Sequence, residues 1–89
     1  AGMEDYNSFG PRSAAKATRA VELARNVIAI ELLCAAEAIE YHRPLRSGTL
    51  VEKAHRAIRK VVKRLGGDRS PAPDIAAIAS LIESGGLTD

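Results

Sequence analysis

The stretch GMEDYNSFGPRS, Gly2 to Ser13, sets two adjacent carboxylates, Glu4 and Asp5, beside the phenol of Tyr6 and the small polar pair Asn7 and Ser8. A carboxylate turned into a dry cleft can bind an amine or move a proton, because desolvation and neighbouring cations set its proton affinity. Adjacent acids ahead of a helix are also accounted for as partners of the helix dipole or as solvated loop charges. Spacing does not choose between the two. The other reactive groups converge less. Neither His42 nor His55 stands at ligand spacing from Cys34 or from a carboxylate pair, and a zinc or iron site needs three or four convergent ligands, so no metal is expected. His42 suits a dipole partner at a helix C-terminus, and His55 a boundary side chain between apolar and basic faces. The single Cys34 has no internal disulfide partner, and within an apolar run it reads as a small buried hydrophobe in a reducing compartment. The serines fall at helix starts and ends, where capping explains them, and no Ser-His-Asp arrangement can be assembled.

The elements that must position these groups are marked off by Pro and Gly at Gly10-Pro11, at Pro44 to Gly48, and from Gly66-Gly67 to Pro73. Three segments of helical period remain, and nothing has the alternation of a strand. The expected class is all-α: one long helix over about 11–41 and two shorter ones over about 50–65 and 74–83. Pro11 suits a first turn, and Pro44 forces an end. At ~1.5 Å per residue the first helix is roughly 45 Å long, whereas a compact chain of 89 residues is only about 30 Å across. It does not fit inside its own domain. The run NVIAIELLCAAEAI, Asn26 to Ile39, sharpens the problem. Val27, Leu32, Ala35 and Ile39 line one side, Ile30, Leu33 and Cys34 look elsewhere, and only Glu31 and Glu37 interrupt the apolar circumference. A helix apolar nearly all round is buried nearly all round.

The second helix has a capping-box spacing at Thr49 and Glu52 and a stop at Gly66. Leu50, Val51, Ala54, Ile58, Val61, Val62 and Leu65 form its apolar stripe, opposite Lys53, Arg56, Arg59, Lys60, Lys63 and Arg64. The third opens after Pro71 and Pro73, carries Ile75, Ile78, Leu81 and Ile82, and stops at Gly85-Gly86. Two amphipathic helices cannot wrap the first one, which implies partner subunits or further sequence. The 89 residues therefore read as a single segment of a long-helix bundle, either an obligate oligomer or part of a larger helical protein.

Net charge is +2, with nine basic and two acidic residues concentrated in residues 42–69. A segment this basic can meet phosphate, and a stand-alone interaction or nucleic-acid-binding module using the basic helix is the competing function. Against it, that helix interleaves no aromatic residue and offers no Asn or Gln to base edges, so a solvated cationic face is the preferred reading over nucleic acid. No stretch approaches a membrane span, and the first residues lack the order of a signal peptide, which gives a cytoplasmic expectation with no membrane partner.

Three motifs in fixed order, MEDYNSFG (Met3 to Gly10), ARNVIAIELLCAAEAIEY (Ala24 to Tyr41) and SPAPDIAAIASLIESGGL (Ser70 to Leu87), resemble the C-terminal end of the histidine and aromatic amino acid ammonia-lyase family. The resemblance covers essentially the whole chain but only about the last fifth of such an enzyme. It implies a mainly helical homotetramer built on a central bundle of long helices. It also implies elimination of ammonia from an amino acid substrate by an electrophilic methylidene-imidazolone formed from an internal Ala-Ser-Gly. Here Arg46 precedes Ser47-Gly48 and Glu83 precedes Ser84-Gly85, so the group cannot form in this segment, which alone should be inactive. In histidine ammonia-lyases the matching loop typically reads Gln-Glu-Asp-His-Val-Ser-Met, with its Glu in the active site. That role falls on Glu4, with Met3, Glu4 and Asn7 as the implied substrate-contacting residues of an active-site loop over 1–10. The long core helix then follows over 11–41, and a two-helix C-terminal cap over 49–87. Glu4 is histidine-like; Met3, Tyr6 and Asn7 depart from that pattern, Asn7 toward the phenylalanine enzymes, and aminomutases share the scaffold. Histidine, giving urocanate, is the favoured substrate.

Overall fold

A computed structural model describes the backbone of residues 2–88 and the side chains of residues 10–88. Among the described residues it holds three helices and no strand, α1 (Gly2–Tyr41), α2 (Thr49–Val61) and α3 (Ala72–Ser84). The expected class and the order of one long and two short helices hold.

The first helix is longer than its sequence punctuation suggests. α1 opens at Gly2, so the loop expected over residues 1–10 is helical backbone from Gly2 onward, and Pro11 lies inside the helix. Once nucleated, a helix gains one hydrogen bond for each residue fixed, and the Ala-, Leu- and Arg-rich run that follows supplies the nucleus. Pro11 cannot donate to the carbonyl of Asn7, which is a local defect rather than a stop. Forty residues make a rod of about 60 Å. The molecule measures 66 × 31 × 17 Å, with a radius of gyration of 18.1 Å against about 12 Å for a compact chain of this length. Residues 10–24 are exposed throughout, because α2 and α3 cover only the C-terminal part of α1.

There α1 packs chiefly on α3. The buried line is Ala29, Leu33 and Ala36, at i, i+4 and i+7, with Ile58 and Val62 from the α2 segment and Ile78 of α3 completing the core. This corrects the expected Val27, Leu32, Ala35 and Ile39 line, of which Val27 is 55% exposed. The two alanines on this line leave room for close helix packing, and Ile78 of α3 is fully buried in the same cluster. Cys34, expected in the core, is exposed because it lies off this line.

α2 is rotated relative to its expected stripe. Leu50, Val51, Val61 and Leu65 are exposed, while Glu52 and His55 are buried with Ile58. α2 also ends at Val61 rather than near Leu65. Val62 turns to extended backbone (φ −134°, ψ 122°), which drives its side chain into the core, and the Leu65 N–H then donates to Glu37. Thr49 does not cap: the N-cap is Gly48, with no side-chain bond, and Glu52 is used elsewhere. α3 closes as its glycines indicate. Gly85 sits at φ 79°, the Gly85 N–H donates to the Ile82 carbonyl and the Gly86 N–H to the Leu81 carbonyl. Gly85 is required by its left-handed backbone, whereas a Cβ on Gly86 would come within 2.7 Å of the tip of the Leu81 side chain, which would have to move.

Replacing Ile78 by Ala in the full-length polypeptide should cost about 2–5 kcal/mol in the unfolding of this helical end, and Ile78→Val about 1. Chemical denaturation followed by circular dichroism checks it; equal midpoints for all three proteins would show that Ile78 is not the core contact.

Candidate functional site

Met3, Glu4 and Asn7, the residues implied for substrate, lie in the first two turns of α1, and their side chains fall outside the described residues. Glu4 is separated from Glu37 by 33 residues of continuous helix, or about 50 Å along the axis. No side chain of α2 or α3 of the same chain can therefore reach a site at Glu4.

At the opposite end, the structure assembles a polar network that spacing did not reveal. Glu37 and Glu40 are one turn apart on α1, and His55 and Arg59 are one turn apart on α2, so the two pairs face each other across the α1–α2 seam. His55 Nε2 lies 2.9 Å from Glu40 Oε1, Arg59 Nε donates to the same oxygen at 3.2 Å, and Arg59 Nη2 donates to Glu37 Oε1 at 3.0 Å. The Leu65 N–H donates to Glu37 Oε1 as well, at 3.0 Å. Burial pushes the proton affinity of Glu37 up, but the Leu65 N–H and the Arg59 guanidinium outweigh it and hold this carboxyl below its ordinary range. Glu40 is lowered in the same way: burial raises it, and hydrogen bonds from His55 and Arg59 prevail. An ionised Glu40 only accepts, so the imidazole presents an N–H to it at Nε2. His55 Nδ1 and Arg59 Nη1 are both buried without a partner among the described residues.

A second cluster ties the turn after α1 to the start of α2. Arg43 Nη1 and Nη2 donate to Glu52 Oε2 and Oε1 at 2.9 and 2.8 Å, the Ser47 N–H donates to Oε2 at 2.8 Å, and Arg46 Nη2 stands 3.4 Å from Oε1. This two-pronged bond from Arg43, then the Ser47 N–H, holds the Glu52 carboxyl at about 2 against an ordinary 4.5. Arg69 fixes the following connection, donating to Asp74 Oδ2 and to the Lys63 carbonyl.

A carboxylate–imidazole pair is a component of many acid–base sites, but here it faces another helix rather than a cleft, with no nucleophile beside it. Among the described residues no group of three ligating side chains converges on a metal. His42 and Cys34 are exposed and separate from the network. The seam is architecture. Its signal in the sequence is the Glu37, Glu40 spacing on an otherwise apolar helix, matched by the His55, Arg59 spacing on a basic one.

The family model for aromatic amino acid lyases matches residues 1–60, and the chain belongs to that family. Its relatives include the histidine ammonia-lyase of Symbiobacterium thermophilum, 46% identical over 98% of this chain and 17% of that protein. The histidine ammonia-lyase of Sorangium cellulosum is 47% identical over 98% of the chain and 17% of its own length. That of Mus musculus is 45% identical over 92% of the chain and 12% of its own. The chain thus spans about a sixth of the length of the curated relatives it matches. No solved structure matches it significantly.

Because Glu52 is more acidic when folded, its bonds stabilise the fold fully above its unfolded value near 4.5 and lose that effect as pH falls toward about 2. Glu52→Gln should therefore lower the melting temperature at pH 7, and its deficit relative to wild type should shrink steadily between about pH 5 and pH 2. Melting curves across that range decide it; a pH-independent deficit would show that Glu52 acts by packing alone.

Proposed function

We infer that this chain is part of an ammonia-lyase that releases ammonia from an amino acid, with histidine the favoured substrate and urocanate the product. The single observation that carries this is the 40–47% identity, over nearly the whole chain, to proteins named histidine ammonia-lyase. In such an elimination a proton leaves the β-carbon, the amino group leaves the α-carbon, and a C=C bond joins the two. Glu4 is the residue of this segment that takes part, as a carboxylate that contacts the substrate and, in a water-poor pocket, has a proton affinity tuned for transfer. Met3 and Asn7 flank it and shape the substrate contact.

The electrophilic methylidene-imidazolone of the resemblance does not fit the residues present here. Arg46 precedes Ser47-Gly48 and Glu83 precedes Ser84-Gly85, the Ser47 N–H is engaged by Glu52, and Gly85 closes α3. Such a group belongs to another part of the polypeptide, and this segment alone is inactive. The full enzyme is a cytoplasmic homotetramer in this proposal. Its support is the apolar surface of α1, where Val21, Leu23, Val27, Ile28 and Ile30 remain exposed and require covering by further helices. No helix among the described residues is long and apolar enough to cross a membrane.

In the full-length protein, Glu4→Ala should lower turnover of histidine to urocanate by about 10²–10⁴-fold, the range of a lost acid–base group, with the oligomer unchanged by light scattering. Wild-type kinetics in that variant would remove Glu4 from the site. Release of ammonia from phenylalanine or tyrosine in preference to histidine would overturn the substrate.

A further inference from the structure

Six of the chain's thirteen cations are ion-paired among the described residues, and of the seven that are not, three cluster while Arg12, Lys16, Arg19 and Lys63 lie elsewhere. Arg25, Arg43, Arg46, Arg59, Arg64 and Arg69 each lie within 4.0 Å of a carboxylate of the chain. Lys53, Arg56 and Lys60 make no ion pair and no side-chain hydrogen bond among the described residues, although they stand together on one face of α2 at i, i+3 and i+7. That face looks onto the turn that closes α3. Between them is a cleft of about 400 Å³, lined among the described residues by Lys53, Arg56, Ala57, Lys60, Gly86 and Leu87, none of them a carboxylate.

We propose that Lys53, Arg56 and Lys60, facing the Gly86–Leu87 turn, form a binding site for an oligophosphate, free or carried by a nucleotide. Three observations converge on this chemistry. Like charges three and four residues apart repel along a helix, so the cluster destabilises α2 unless an anion answers it. The adjacent end of α3 supplies only roughly half a negative charge, and its Leu81 and Ile82 carbonyls are already engaged by the Gly86 and Gly85 N–H groups, so among the described residues most of the positive charge is unanswered. Finally, Lys53 and Lys60 are about 10 Å apart along the axis, which suits two or three linked phosphates better than one. Arg56 in the middle offers the planar fork that grips two phosphate oxygens, and the lysines act as point charges on either side. The volume suits a small ligand and excludes a protein helix.

This site lies on the α2–α3 cap and does not depend on the lyase reading. Titration calorimetry on the full-length protein, with inorganic phosphate, tripolyphosphate and ATP as probes at low and at physiological ionic strength, tests it. Tripolyphosphate should bind at least about tenfold more tightly than phosphate and weaken with salt, as a three-cation site demands. The double variant Lys53→Gln and Lys60→Gln, at surface helix positions, should lose about tenfold or more of that affinity with unchanged circular dichroism. The charge-matched variant Lys16→Gln and Arg19→Gln should bind like wild type. Equal affinity for tripolyphosphate and ATP assigns the free oligophosphate, and tighter ATP binding lost in the same double variant assigns the nucleotide. The proposal is overturned if tripolyphosphate binds no better than phosphate, or if the double variant binds as well as wild type.

Discussion

The contact between α1 and α2 is made by charge as much as by apolar surface, and most of the remaining arrangement follows from it. Glu37 and Glu40 present two ionised carboxylates to His55 and Arg59, and Glu37 also takes the N–H of Leu65 beyond the end of α2. A buried ion is tolerated only when its oxygens are well supplied with donors, so these bonds fix the rotation of α2 rather than merely decorating it. With Glu52 and His55 turned inward, Ile58 and Val62 reach Ile78, and Leu50, Val51 and Val61 necessarily point away. Stopping the helix at Val61 belongs to the same solution, since the chain must extend there for Leu65 to find Glu37 and for Val62 to enter the core.

A core of six buried apolar residues is what this arrangement yields among the described residues, against eleven large apolar side chains left exposed. That ratio is the reverse of an independent domain, in which a large apolar patch is rare. The further helices proposed to cover α1 would account for that excess. The family assignment and the small share of the relatives' length that the chain spans agree with it.

The helix count, the excess of apolar surface on α1 and the glycine closure of α3 were legible in the sequence, because period, proline and glycine act locally. The orientation of α2 was not. Its apolar residues mark out a stripe through Leu50, Val51 and Val61, but Ile58 and Val62 also stack with Glu52, His55 and Arg59, and both faces are coherent on paper. What decides is the identity of the facing residues on α1, which a single-helix pattern does not contain. Cys34 escaped for a related reason: on a helix apolar all round, composition cannot say which line a partner covers. The acidic motif at Glu4 is legible only through likeness to a family, since adjacent carboxylates by themselves are common.

The uncovered length of α1 makes it a lever. Its anchored end is held by the seam and by α3, and its other end, about 50 Å away, carries Glu4. Tilting such a rod by about one degree moves its tip by about 1 Å, a displacement large enough to matter for the substrate contact proposed for Glu4. Unless neighbouring helices clamp the rod along its length, tolerance at the tip is set by stiffness at the fulcrum. On the role proposed for Glu4, the charges that hold α2 in place double as an alignment device for a centre they never touch.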